Sequence, residues 1–568
     1  YYFHAKPGTG VNGLLWKNGN DPAPKYLEMD YYRPTNTDSQ LYPRYKAGDS
    51  RSLDTTLLYE TGAMLTGEQS DTTWILATYA TSASTYRLDF YKVAPSNSII
   101  VDDDFAEYPD AQTASPVAAG FAVTSPGTIL IANGRYKGYL PVQFTKDNIS
   151  IAGQSKENVH LYNIFNYPTN QVFYLTGENN TVRDMTLHCG DANYYSIENT
   201  GENHTLDNIL VDTISGFSRV SGGIRVLSTY GHLNNITLNN SWGGLFLSGN
   251  NTLIENCNVV CEYTGITANG ADILVRNNYV EVTMTNRGIE LNAGSGSNST
   301  IVFENNTVKM TAVDYSTGYG IFQIENLSSA DHVTDVIVRN NTIESWGANE
   351  AFFANLGNPP ARIFIENNTY HGFNAGGGRA LSLNGGRTDG VSTILVRNNT
   401  FDGLSPEHSI VLWAVEYIKE GEEFGIYNNS FRVASTIPPS EDNSFIYARN
   451  YMGMPAGDTI DVKFVNNIFQ GNGNGSFVEF ENPYGIYSDY NIIHNFGSMI
   501  ENSGTLLGSG NDRTDDPLFT DEYLHVGDGS PALNNGASSS IYEHVPAVDK
   551  DGVSRPQSTG VDIGAYER

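Results

Sequence analysis

The sequence predicts an all-β chain, a right-handed parallel β-helix, from three observations. A short asparagine-centred motif recurs along most of the chain, its steps match the length of one coil, and the stretches between copies are β-branched and alternating rather than helical in period. Each copy runs apolar, polar, Asn or Asp, usually a second Asn, then Thr or Ser and another apolar residue. The copies centre on Asp184, Asn208, Asn235, Asn256, Asn277, Asn305, Asn340, Asn367, Asn398, Asn428, Asn466 and Asn491, positions that differ by 21 to 38 residues.

Asparagine suits this position because each coil must turn between two sheets at the same place. Asn tolerates left-handed backbone, and its amide bonds the turn and its stacked copies. A ladder side chain is expected to face inward. Triplets such as Asn340-Asn341-Thr342 and Asn398-Asn399-Thr400 are therefore expected to be structural, with Asn298 and Asn326, off the ladder, the better glycosylation acceptors.

The motif divides the chain. Residues 96–510 read as the helix, of about 12 to 14 coils, and residues 511–568 as a capping segment. Residues 1–95 lack the motif and alternate instead, as in Thr72 to Tyr79 and Tyr86 to Val93, which predicts a small β-sandwich-like module. That module either binds sugar or covers the first coil.

Composition narrows the partners. Lys plus Arg number 32 against 63 Asp plus Glu. Such a surface repels phosphate backbones and anionic headgroups, so neither nucleic acid nor membrane insertion is expected. A polyanionic sugar is repelled as well, unless a cation or local arginines intervene. Charged residues are only 17% of the chain, while Gly reaches 57 and Tyr 35, a profile of a folded extracellular β surface rather than of disorder. The three cysteines, Cys189, Cys257 and Cys261, match no zinc pattern and read as buried thiols or one disulfide. No apolar run approaches the roughly 20 residues that span a bilayer. Tyr1 opens on polar sequence, and the expectation is a secreted chain whose leader has been removed.

Two stretches carry a resemblance. Ile99-Ile-Val-Asp-Asp-Asp104, a short helical stretch near 110–120, Pro126 to Ile131, Asn133 to Tyr136 and a first clean inner strand at Ile149 to Gln154 resemble the opening of the secreted pectate-lyase-like β-helix proteins, among them many surface proteins of methanogenic archaea. The resemblance implies that the helix caps the first coil. Asp516-Pro-Leu-Phe519, Gly529 to Ala532, Arg555-Pro556 and Asp562 to Glu567 resemble the terminal segment of secreted β-helix carbohydrate-active proteins. Together they cover about residues 99–568. With its Asn, Tyr and acidic content, the chain resembles the disaggregatase-like proteins of methanogens, which implies an extracellular endo-acting enzyme on a chondroitin-like amino-sugar and uronate polymer. No motif of that family matches position by position, so no catalytic residue is carried over.

Each coil offers one strand about 10 to 18 residues before its asparagine, and alternation sets which residues point outward. The expected outward stripe is Arg225, Phe246, Thr267, Glu290, Gln323, Ser382, Trp413, Tyr447 and Glu479, with Glu325 and Arg449 one step further along their strands. Exposed aromatics among polar groups point to a ligand, and sugars stack on aromatic faces. Arg225, Phe246, Gln323, Arg379, Trp413, Tyr447 and Arg449 are the expected substrate-binding residues; the alternative is that loops of the long coils cover the aromatics.

A glycoside hydrolase needs two carboxyl groups flanking the bond. Glu290 and Glu325, about 8 Å apart by coil and residue spacing, fit the separation for inversion. Asp314 is the third catalytic candidate, with Asp331, Asp335 and Glu350 as rivals. A lyase would instead neutralise a uronate carboxylate and abstract a neighbouring proton, for which Arg225, Arg287, Lys309, Tyr319 and His332 are available. No cofactor is required. Asp102-Asp103-Asp104 reads either as a structural calcium site or as a solvated turn, and a catalytic metal is not specified. The paired-Asp and Gly-His-Gly signatures of polygalacturonase-type hydrolases are absent. The leading expectation is an endo-acting glycoside hydrolase on a surface or matrix heteropolysaccharide, followed by a lyase on the same fold and by a non-catalytic polysaccharide-binding protein or adhesin.

Overall fold

Period-two alternation makes each short run a strand with its apolar side chains inside. Ile273 and Val275 are buried while Leu274 and Arg276 between and after them are partly exposed, and Val280 and Val282 repeat the pattern. In the computed structural model the described residues are 11–16, 25–32, 40–46, 63–69, 72–82, 85–93, 95–138, 142–163, 172–189, 195–213, 223–283, 287–293, 299–311, 320–325, 334–346, 350–355, 361–373, 379–384, 391–405, 408–413, 418–434, 444–449, 462–473, 475–481, 485–502, 505–508 and 510–568. The chain is a parallel β-helix and divides into two compact units, Tyr1–Trp242 and Gly243–Arg568.

In the first unit, Val11–Trp16, Lys25–Tyr32 and Gln40–Lys46 form one antiparallel sheet, and Ala63–Gln69, Thr72–Ser82 and Thr85–Val93 another. The two expected strands of residues 1–95 are thus present, paired antiparallel. The helix near 110–120 is Pro116–Ala122, which packs against Ser96–Val101, Val123–Ile131 and Val142–Phe144. Parallel coils begin there. Val142–Phe144, Phe173–Leu175, Ile197–Asn199 and Ile224–Val226 stack in register in one sheet, and Ile149–Gly153 pairs with Val123–Ile131 and Thr181–Cys189 in the other.

His204 is buried in this unit, 1% exposed, and burial pushes its imidazole down to about 4. Its folded pKa lies below the unfolded value, so proton uptake favours the unfolded chain. The contribution is whole above about pH 6.5 and is lost as pH falls toward 4. A shift of that size corresponds to about 3 kcal/mol. Urea midpoints measured at pH 7 and at pH 4.5 are expected to fall by more in the wild type than in His204→Gln; parallel falls would contradict this.

The second unit shows that the motif asparagines have two roles, where the sequence suggested one. The first of each pair takes the left-handed backbone, as does Asn256, which Cys257 follows: Asn256, Asn277, Asn305, Asn340, Asn367, Asn398, Asn428 and Asn466 have φ of 53–58°. The second builds the ladder. Asn278, Asn306, Asn341, Asn368, Asn399, Asn429, Asn467 and Asn491 are buried, and each side-chain amide of the first seven donates to the next Oδ1 at 2.9–3.0 Å. The ladder ends on Asp512. In the last copy Tyr490 takes the left-handed turn (φ 54°) and Asn491 the ladder position, so the motif there is offset by one.

This split corrects the glycosylation expectation. The acceptor of Asn340-Asn341-Thr342 is the first asparagine, which is exposed; only Asn341 faces inward. Asn398 is buried for another reason, because its amide donates to the Val548 carbonyl at 2.8 Å. Asn298 and Asn326 lie outside the described residues. All three cysteines are free and buried.

Outside the ladder, arginines reach back one coil to a carboxylate: Arg276 to Glu255 (2.7 Å), Arg339 to Glu304 (2.6 Å), Arg362 to Asp335 (2.5 Å), Arg397 to Glu366 (2.5 Å) and Arg432 to Asp402 (2.7 Å). Asp335, a rival catalytic acid by sequence, is held in this way.

Residues 511–568 lie along these coils. Lys550 Nζ donates to the Asn367 carbonyl (2.6 Å), Asn428 Nδ2 to the Asp562 carbonyl (3.2 Å) and Asn466 Nδ2 to the Ala537 carbonyl (2.8 Å). Arg555 is buried against Glu567 at 3.2 Å, with further bonds to the carbonyls of Asp562 and Gly564.

Candidate active site

The second sheet of Gly243–Arg568 is a row of ten parallel strands: Leu245–Ser248, Ile266–Gly270, Ile289–Ala293, Gly320–Glu325, Glu350–Asn355, Leu381–Asn384, Ile410–Trp413, Ser444–Arg449, Ser476–Glu481 and Ser498–Glu501. At about 4.8 Å per step the row is roughly 43 Å long. One register column holds Phe246, Thr267, Glu290, Gln323, Phe353, Ser382, Val411, Tyr447, Glu479 and Glu501. The next column, two residues along, holds Asn269, Asn292, Glu325, Asn355, Asn384, Trp413, Arg449 and Glu481.

From Phe246 onward the expected stripe is therefore in register, with three corrections. Val411 stands where Trp413 was expected, and Trp413 is in the second column. Phe353 was missed. Gln323 and Ser382 are buried, 1% and 7% exposed, rather than open to solvent. Phe246, Thr267, Glu290, Tyr447 and Glu479 are partly exposed, as expected of outward positions.

Glu290 and Glu325 stand one coil and two residues apart, the offset expected of them. Glu290 is engaged: Arg287 Nη1 contacts its Oε1 at 2.5 Å and Asn292 Nδ2 donates to the same oxygen at 3.2 Å. Asp314, Asp331, Tyr319 and His332 lie outside the described residues, as do the side chains of Glu325, Glu350, Trp413 and Arg449. Arg379 precedes Leu381–Asn384, and its carbonyl accepts from the Ala351 amide at 2.7 Å. In Tyr1–Trp242, Arg225 stands in register with Glu198, contacts it at 3.3 Å and lies over the Tyr195 ring at 5.5 Å. Burial raises the Tyr195 hydroxyl above its usual range against the lowering effect of Arg225.

Further along the second unit the described side chains converge. The Tyr447 hydroxyl donates to Glu481, and the His408 ring stacks on Tyr447 with centroids 4.4 Å apart. His408 Nε2 lies 3.5 Å from Glu479, which also accepts from Ser444 Oγ at 3.0 Å and Asn502 Nδ2 at 3.4 Å. Ser476 Oγ donates to Glu501 at 3.1 Å. Trp413 and Arg449 occupy neighbouring register positions. The contrast with the other sheet is chemical. There five carboxylates are each held by an arginine of the next coil, and Glu423 by Lys463, His544 and Tyr427 together; Glu479 meets a histidine, a hydroxyl and an amide and no arginine or lysine among its described contacts.

Sequence reasoning found Tyr447, Glu479, Trp413 and Arg449 but not His408 or Glu481. Glu481 was legible, since it alternates with Glu479 in Phe477-Val-Glu-Phe-Glu. His408 precedes the strand Ile410–Trp413 in left-handed backbone (φ 52°), where no periodicity marks a side chain.

For a metal, the carboxylate oxygens of Asp102, Asp104 and Glu107 lie within 4.8 Å of one another, the grouping of three such residues found among the described residues. Asp102 already accepts the Tyr108 amide at 2.7 Å and Asp103 the Arg135 amide at 2.9 Å, so these acids order the turn in any case.

No family model and no curated protein matches the chain. Among solved structures it is similar to a PL6 alginate lyase in complex with a trisaccharide, at 14% identity over 81% of this chain and 96% of that one, with a TM-score of 0.38. It is similar to the catalytic unit of a GH87 α-1,3-glucanase from Streptomyces thermodiastaticus, at 12% identity over 87% and 89%, with a TM-score of 0.38. It is also similar to the pectate lyase Pel9A, at 12% identity over 84% and 97%, with a TM-score of 0.27. At these identities the likeness is one of fold, and no residue role is carried over.

Proposed function

We propose that this protein is a secreted enzyme that cuts a surface or matrix heteropolysaccharide internally, as a glycoside hydrolase, with the polymer lying along the ten-strand face and the bond broken at Glu479 and Glu481. The observation that carries this reading is the placement of two carboxylates two residues apart on one strand, beside Tyr447 and His408. Backbone spacing sets them roughly 6.6 Å apart, at the lower edge of the carboxyl separation that admits a water for inversion. One carboxyl protonates the leaving oxygen and the other activates water on the opposite face of the ring. Tyr447 and His408 hold the two carboxylates in place. The aromatic and amide positions along the columns supply stacking and hydrogen bonds to successive sugars. Glu290 with Glu325 is the competing pair on the same face.

A lyase is the second reading, and one observation favours it: His408 stacks on Tyr447, which lies two residues before Arg449 on the same strand, so two proton-transfer groups stand near a cation position. Product analysis separates the two. Incubation with neutral, amino-sugar and uronate polysaccharides is expected to give new reducing ends without ultraviolet absorbance. An absorbing unsaturated product would replace hydrolysis with elimination, and silence across the panel would leave a binding protein.

A further inference from the structure

We infer that His160 and His188 form a binding site for one borderline transition-metal dication of the zinc or copper(II) class. The two residues are on adjacent coils of Tyr1–Trp242, in strands Val159–Asn163 and Thr181–Cys189. His160 pairs with Thr186 and Tyr162 with His188, so the imidazoles meet diagonally on the face that their strands turn outward. Leu161 and Leu187, between them in register, are buried. His160 Nδ1 lies 2.9 Å from His188 Nε2.

That distance suits a shared ion as well as a shared proton. Metal–imidazole bonds of about 2.0–2.1 Å at angles of about 90–110° place the two nitrogens about 2.9–3.4 Å apart. The His188 ring is held near this arrangement before any ion arrives, because Tyr162 stacks on it with centroids 4.2 Å apart and planes 8° from parallel. Preorganised ligands lose little freedom on binding. Imidazole donors select zinc, copper or nickel over calcium and magnesium, which take oxygen. Charge around the pair is graded. Arg135 and Lys137 stand in register with His160 and Tyr162 on the coil before, and Asp212 with His188 on the coil after. The carboxylate side is the one that favours a cation. An ion held there ties two coils together side by side.

The test uses the whole chain, freed of any affinity tag. Copper(II) titration is expected to saturate at one ion per chain, with a paramagnetic resonance signal showing nitrogen coupling, and His160→Gln or His188→Gln to weaken that binding at least tenfold. Zinc is expected to raise the thermal midpoint by about 2 °C or more in wild type and not in either variant. Should a variant fail to fold, zinc protection of His160 and His188 from diethylpyrocarbonate in the wild type, mapped by mass spectrometry, answers the same question. Binding kept in both variants, a signal without nitrogen coupling, or labelling unchanged by zinc would overturn the site.

Discussion

Glu479→Gln and Glu481→Gln are each expected to lower the turnover of a cleaved polysaccharide by about a thousandfold, with KM little changed. Replacing a carboxyl by its isosteric amide removes proton transfer but keeps shape, and positioned acid–base groups contribute about 10² to 10⁴ in rate. A loss confined to kcat marks an interaction made in the transition state rather than in binding. Tyr447→Phe removes the hydroxyl that donates to Glu481 and is expected to cost less, because the carboxyl remains. Arg362→Gln, whose salt bridge to Asp335 lies on the other sheet, is the control and should leave turnover unchanged. If Glu290→Gln and Glu325→Gln abolish turnover and the Glu479 and Glu481 variants do not, the reaction centre belongs to the earlier coils. Fresh product examined by proton resonance should carry the inverted anomer.

The second large effect is on stability. Asn429→Leu is expected to cost about 4 kcal/mol or more. Its Oδ1 accepts the Asn399 backbone amide and the Asn399 side-chain amide, each at 2.9 Å, and its own Nδ2 donates to the carbonyls of Val396 (2.8 Å) and Tyr427 (3.0 Å). Leucine leaves these buried groups without their bonds, at about 1–3 kcal/mol for each. Asn340→Ala is the instructive partner. That residue is exposed at φ 56°, and alanine there meets only the cost of left-handed backbone, about 1–2 kcal/mol. Denaturant midpoints of the two variants should differ by a wide margin. Equal losses would mean that the buried ladder contributes no more than the turn.

The fold was legible because one coil is one repeat, and a β-helix writes its period into the chain. Strand registers followed wherever the coil kept its length. They slipped at Trp413, which lies two residues beyond the column position that Val411 fills, and at Phe353, whose strand Glu350–Asn355 contributes no residue to the expected stripe. The candidate site was half legible. Tyr447, Glu479, Trp413 and Arg449 sit on strands and obey alternation, whereas His408 lies outside the strand Ile410–Trp413 and enters the cluster only through three-dimensional proximity. The two roles of paired asparagines were also hidden, because both positions are the same residue type; only backbone angle and burial tell a left-handed Asn340 from an inward Asn341.

The path of residues 511–568 has a consequence for the order of assembly. Lys550 bonds to Asn367, 183 residues earlier in the chain, and Asn398 and Asn428 wait for carbonyls 150 and 134 residues later. A growing stack can complete each rung from its immediate neighbour, but this flank stays open until the distant segment returns. A chain that ended before residue 511 would leave more than amides unanswered, because Leu395, Tyr427 and Val465 are buried in one cluster with Ala537, Val545 and Val561 of the returning segment.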